Sequence, residues 1–200
     1  MNVFIDCGAH CGESILRARS QFGLDTRIIS FEPIPYFASE LSKIWQNDET
    51  VDIVNAAVWI EDGIKTFEVS TVNTDGSSLF DLPITENEYL GIQVNTFDFS
   101  KFLSQFNTRD FKLIVKFDIE GAEYHVLNKM IEDETIKYVD EFWGEWHDPK
   151  TDEQRHLQKK VYSFLKENSI VFNIWEQHIP LVGKSHELLV DRPKHLKDII

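Results

Sequence analysis

FIDCGAHCGES, residues 4–14, is the stretch on which the reading of this chain turns. A short apolar run ends in an acid at Asp6, Gly8 and Gly12 bracket a tight turn, and a helical pattern follows at once. A strand, a glycine turn and a helix in that order open an α/β sheet, where ligands sit at the carboxyl ends of the strands, at the point where strand order reverses. Three ligand classes compete for such a loop: a dinucleotide, a nucleotide phosphate, or something without phosphate. The dinucleotide fingerprint needs a middle glycine so that backbone can approach a pyrophosphate, and His10 stands in that place. No Gly-Lys-Ser/Thr follows, which excludes a P-loop. Asp6 itself would repel phosphate and attract a cation.

Outward from the loop the pattern alternates. After the first strand at 2–5, Ile15, Ala18 and Phe22 recur at helical spacing and Gly23 closes the helix. Residues 27–32 read as a second strand, Pro35 opens a helix with Phe37, Leu41, Ile44 and Trp45 on one face, and 51–59 read as a third strand. The rhythm then changes: 63–81 is extended chain around the turn signal Asn73-Thr74-Asp75-Gly76, a hairpin inserted on one rim within about 63–97. A short strand at 92–97 and a helix or turn at 98–106 lead back to the regular alternation. Residues 111–121 are nearly continuously apolar, as a central parallel strand should be. Ala122, Val126, Leu127, Met130 and Ile131 mark the next helix, and 137–146 a fifth core strand. Thr151 and Gln154 form a capping box for a further helix. Two closing strands, 170–176 and 185–191, lack a helix between them and are expected to pair antiparallel at an edge. The predicted fold is a single α/β, Rossmann-like domain over 1–200, with helices on both faces of a mostly parallel sheet.

Composition narrows the partners. The 200 residues carry 34 acidic and 20 basic side chains, a formal charge of -14. So negative a surface disfavours nucleic acid and anionic membranes. No apolar stretch approaches the roughly 20 residues needed to span a bilayer, and the opening MNVFIDCG does not read as a signal peptide. Cys7 and Cys11 are the only cysteines; with no second suitably spaced pair they are read as reduced, semi-buried residues, which suits the cytoplasm.

Two acidic groups carry the chemistry. Glu32 ends the second strand, where a carboxylate can accept both hydroxyls of a ribose. Asp6 and Glu32 at equivalent strand ends fit a ligand with a ribose, no phosphate and a positive end, and S-adenosyl-L-methionine is such a ligand. The second group lies in KFDIEGAEYHVL (116–127): Asp118 ends the fourth core strand, and Glu120 and Glu123 open the next helix, Glu123 in a place that the helix dipole alone would explain. GEWHDP adds Glu145 and His147 to the same rim. Asp118, Glu145 and His147 could together take a divalent metal such as magnesium.

DCGAHCGES, FEPIP, VNAAVW, the Ser77-Ser78 pair of the insert and VKFDIEGAEYHVL occur in the order seen in FkbM-type methyltransferases, which the chain resembles from about residue 2 to 147. The resemblance implies a class I methyltransferase fold with a seven-stranded sheet whose last hairpin is reversed. It also implies S-adenosyl-L-methionine as donor and a hydroxyl on a sugar or natural-product acceptor. By position, Asp6, Gly8 and Gly12 would line the methionine end of the cofactor, Glu32 the ribose, and Asn55 and Ala56 the adenine. Asp118, Glu120 and His147 would serve the acceptor, with a carboxylate or the His147 imidazole as base; a histidine base predicts activity rising through about pH 6–7. Two features depart from the family pattern. Cys11 replaces a larger apolar residue, and the first strand begins at once, which points to a neighbouring subunit of a homo-oligomer as cover for the site. The rivals are a nicotinamide-dependent oxidoreductase, disfavoured by His10, and a methyltransferase-like subunit that binds without turnover.

Overall fold

The computed structural model describes residues 1–70, 76–80, 89–175 and 188–190. Among these residues the main sheet has six strands, in the order β3-β2-β1-β7-β8-β9. These are β1 Asn2–Cys7, β2 Arg27–Phe31, β3 Val51–Val54, β7 Lys112–Phe117, β8 Glu141–Gly144 and β9 Phe172–Ile174. All five pairings are parallel. The order reverses between β1 and β7, which places the switch point beside the glycine loop.

The side-chain period of two sorts each strand between two cores. Val3, Ile5 and Cys7 of β1 and Leu113, Val115 and Phe117 of β7 face one way, against α4 (Glu123–Glu132) and α5 (Asp152–Glu167). Phe4 and Ile114 face the other, against α1 (Glu13–Phe22) and α2 (Pro35–Trp45). Asp6 and Lys116 continue that second face, one register step nearer the strand ends, and they are direct cross-strand partners. The expected helix signals operate. The Gly23 N–H donates to the Arg19 carbonyl, Pro35 opens α2, and Thr151 and Gln154 bond reciprocally as a capping box.

The stretch 51–59 is not one strand. It breaks at Asn55-Ala56, and β4 (Ala57–Trp59) leaves the main sheet for a second one, ordered β4-β6-β5. There β5 (Gly63–Ser70) pairs antiparallel with β6 (Tyr89–Asp98), and β4 pairs parallel with β6. Residues 71–75, which hold most of the expected turn, lie outside the described residues, but an antiparallel bridge from Glu68 to Ser78 brings the chain back along β5. A short helix, α3 (Phe99–Leu103), leads toward β7. The expected fifth strand at 137–146 is shorter, because a 3-10 turn occupies Thr135–Tyr138. The predicted final strand at 185–191 lies outside the described residues except for Leu188–Val190, which is not strand. Among the described residues no helix is long and apolar enough to cross a membrane.

Candidate functional site

The loop between β1 and α1 closes against the end of β7. Gly8 has a φ of +103°, and a Cβ there would stand 2.1 Å from the Asp118 carbonyl oxygen, so only glycine permits this contact. Gly12, with φ +93°, lies so near Leu41 of α2 that a Cβ would meet its Cδ2 at 2.6 Å. The Gly8 and Ala9 amides both donate to the Phe31 carbonyl, at 3.1 and 3.0 Å, tying the loop to the end of β2. On its outer side the Val190 amide donates to the Cys11 carbonyl at 3.0 Å. Both cysteines are buried; burial first, and the Asp6 charge second, push the Cys7 thiol well above its ordinary value.

Asp6 is fully buried beneath this loop. Its carboxylate accepts from Ser14 Oγ, from Ser30 Oγ at 3.2 Å and from Lys116 Nζ at 3.1 Å. Lys116 reaches further, to the Gly8 carbonyl at 2.9 Å and to Asp118 Oδ2 at 3.4 Å. Burial disfavours its charged form, but the charges of Asp6 and Asp118 outweigh that and hold the ammonium above its ordinary value. Asp6 therefore supports the loop from below, and one ammonium ties the β1 loop to the β7 strand end.

Glu32, at the end of β2, is 3% exposed. Its two oxygens accept the backbone amides of His10 and Ile34, each at 2.8 Å. Burial pushes the carboxyl up to about 7, against the pull of those two amides. Each oxygen keeps a further lone pair for an incoming hydroxyl. Asn55 is exposed beside it, and its amide donates to the carbonyls of Glu32 and Pro33 at 2.9 and 3.1 Å; Ala56 is buried.

The second acidic group assembles around His147. Its Nδ1 is 2.9 Å from Glu123 Oε1, and its Nε2 is 3.4 Å from Glu120 Oε1 and 3.9 Å from Asp118 Oδ1. Glu123 is fully buried and also accepts the Ile119 and Gly121 amides at 2.9 Å, so it organises the loop after β7 as well as facing the helix dipole. Tyr124 Oη fixes the His147 carbonyl at 2.6 Å. Burial alone would depress the imidazole, but hydrogen bonds and charge from Glu120 and Glu123 push it up to about 11. The two paired carboxylates thus favour the charged imidazolium, the form of the ring that donates protons.

Asp118, Glu120 and His147 place one ligand atom each within 4.8 Å of the others; the expected third partner, Glu145, is not in that group.

Lys116 and Glu123 were not singled out as site residues in the sequence. A lysine inside the apolar run LIVKFD was the available signal, because a charge in a doubly covered strand needs a partner. Glu123 carried none beyond its place in a helix's first turn.

A family model described as Methyltransferase FkbM domain matches residues 6–171. A search of curated proteins returned no match. Among solved structures the chain is similar to the crystal structure of the methyltransferase FkbM from Methylobacillus flagellatus KT, at 14% identity and a TM-score of 0.47. That alignment covers 81% of this chain and 37% of the other, so the chain spans little more than a third of that protein's length. The family match takes in most of the sequence and includes the glycine loop, both acidic groups and His147: the chain belongs to the FkbM methyltransferase family.

Proposed function

We propose that this chain is a methyltransferase that takes S-adenosyl-L-methionine as donor and methylates a hydroxyl oxygen on a sugar or natural-product-like acceptor. One observation carries the reading. Five carboxylates (Asp6, Glu32, Asp118, Glu120 and Glu123) gather at the strand ends around the switch point, and among the described residues Lys116 and His147 meet them while Lys150 reaches only the Glu120 carbonyl. That balance repels a pyrophosphate and favours a ligand with a positive centre. The lone pairs remaining on Glu32 fit a ribose, and the glycine loop beside it leaves no phosphate cradle.

When bound, the cofactor supplies an electrophilic methyl group on a sulfonium. Glu32 accepts the ribose hydroxyls, and the amides of His10 and Ile34 hold its carboxylate in place to do so. Asp118 turns Oδ2 to Lys116 and Oδ1 to the His147 side, where it would take the acceptor's hydroxyl proton while the methyl passes from sulfur to oxygen and S-adenosylhomocysteine leaves as the neutral thioether. Glu120 holds the acceptor, and the His147 imidazolium keeps both carboxylates oriented. Most of the rate comes from orientation of the two reacting groups.

Thermal shift is the direct test. At 100 times its dissociation constant, S-adenosylmethionine or S-adenosylhomocysteine adds about 2.7 kcal/mol of stability, and NAD adds nothing. Labelled methyl appears on a hydroxyl compound when an acceptor panel is supplied. Stabilisation by NAD and not by the sulfonium cofactor refutes the proposal.

A further inference from the structure

The Ser77-Ser78 pair belongs to the insert, far from either acidic group in sequence. Ser77 Oγ accepts the Ser70 amide at 3.1 Å, within the insert itself. Ser78 does something different. It is fully buried, and its hydroxyl donates to the Glu120 carbonyl at 2.7 Å, across 42 positions of chain. Lys150 Nζ donates to the same carbonyl at 3.1 Å. The residue so gripped is held in an unusual conformation: Glu120 has φ +54°, followed by Gly121 at φ +100°. For a residue with a Cβ the left-handed region costs about 1–2 kcal/mol, and such conformers persist only where surrounding bonds over-determine them. The conformation has a consequence, because backbone angles set the direction of the Cα–Cβ bond. With Glu120 left-handed, its carboxylate meets His147 Nε2 at 3.4 Å.

We propose that Ser78 is a positioning residue: by holding the Glu120 carbonyl it keeps that residue left-handed and its carboxylate aimed at His147 on the acceptor rim. The inserted sheet is then part of the catalytic apparatus, acting through the backbone of the loop after β7. This rests on the reading of Glu120 and His147 as acceptor-side residues. Releasing the carbonyl lets the loop relax toward right-handed or extended angles, which swings the carboxylate off the imidazolium.

The test follows the ring resonances of His147 by NMR as pH is raised, in the free protein and with no acceptor required. The groups facing that ring are Asp118, Glu120 and Glu123, with Lys116 on Asp118, Lys150 on the Glu120 carbonyl and the Tyr124 phenol on the His147 carbonyl. Ser78→Ala lowers the His147 midpoint by about half a unit or more, since one carboxylate no longer stabilises the charged ring. Ser78→Cys, close in size with a weaker donor, gives an intermediate shift and serves if the alanine variant folds poorly. Ser77→Ala leaves the midpoint at the parent value. Glu120→Gln lowers it at least as far as Ser78→Ala. An unchanged midpoint in both Ser78 variants, with Glu120→Gln shifted, overturns the role of Ser78 and leaves the site reading standing. An unchanged midpoint in Glu120→Gln overturns the His147–Glu120 pairing itself.

Discussion

Replacing Glu32 with Gln probes the cofactor site through protons as well as contacts. In the parent, burial raises the Glu32 carboxyl to about 7, so near neutrality roughly half the molecules carry a proton there. Ribose hydroxyls donate, and they favour the ionised form. Binding of S-adenosylhomocysteine at pH 7 should therefore expel about half a proton, and affinity should rise about tenfold between pH 6 and pH 8. Glu32→Gln removes the titration. It also sets an NH2 group against one of the two amides, His10 or Ile34, that now donate to a carboxylate oxygen at 2.8 Å. Losing a hydrogen bond to a charged acceptor costs about 1.5–3 kcal/mol, so at pH 8 the variant should bind at least tenfold more weakly. Stability moves the opposite way with pH. The folded value exceeds the ordinary carboxylate value of 4.5, so the folded protein holds a proton that the unfolded chain has released. The contribution from Glu32 is therefore fully present below about pH 4.5 and declines by about 3 kcal/mol as pH rises through about 7. Calorimetry in buffers of different ionisation heat, at several pH values, measures proton release and affinity together. The cofactor's own amino group titrates alike in parent and variant, so their difference isolates Glu32. No difference in proton release between the two proteins would refute the assignment of Glu32 to the ribose.

Asp118→Asn should lower methyl transfer by on the order of 100-fold while cofactor affinity stays within a few-fold; a fully active variant removes Asp118 from the chemistry. With His147 held at about 11, the parent's turnover, measured at saturating cofactor, should show no histidine-controlled rise through pH 6–7, and it should fall only as the imidazolium titrates. A rise that vanishes in His147→Gln restores the histidine base. Chelation with EDTA should leave activity unchanged, and its loss with recovery on adding magnesium makes the rim a metal site after all. Lys116→Met leaves Asp6 charged, buried and unpaired, a loss of about 3–5 kcal/mol in denaturant titrations. The double variant Asp6→Asn, Lys116→Met should recover a substantial part, and equal losses in both would show that the pair is not coupled.

The order and type of most elements could be read directly because their signals are local. The caps at Gly23, Pro35 and Thr151-Gln154 and the apolar runs of β1 and β7 all act within a few residues. What escaped depends on contacts between distant segments. Nothing in VDIVNAAVW announces that Ala57–Trp59 will join a second sheet, since its partner lies at Thr96–Asp98. The candidate acids could be picked out because charge at a strand end is conspicuous. The surroundings of His147 could not, because they come from Glu120 and Glu123, 27 and 24 positions earlier, and a sequence shows the imidazole without its neighbours. Ser78 was visible only as part of a motif, since its partner is a backbone carbonyl that any residue could supply.

The ammonium of Lys116 joins groups 110 positions apart, and this has a consequence for how the protein is made. The strand β1 leaves the ribosome long before β7, yet it ends between β2 and β7 in the interior of the sheet. Until β7 is synthesised, Val3, Phe4 and Ile5 lack one of their two neighbours, and Asp6 lacks its counter-charge. Pairing so distant in sequence forms slowly, because the intervening loop must be closed before any contact repays its entropy. The partly synthesised chain therefore carries an apolar strand with an open edge until β7 has been made, the kind of surface that chaperones bind and that aggregates when left uncovered. The glycine loop completes its floor in the same event that seals that edge, so a chain whose loop is fully formed is one that has already passed its most vulnerable stage.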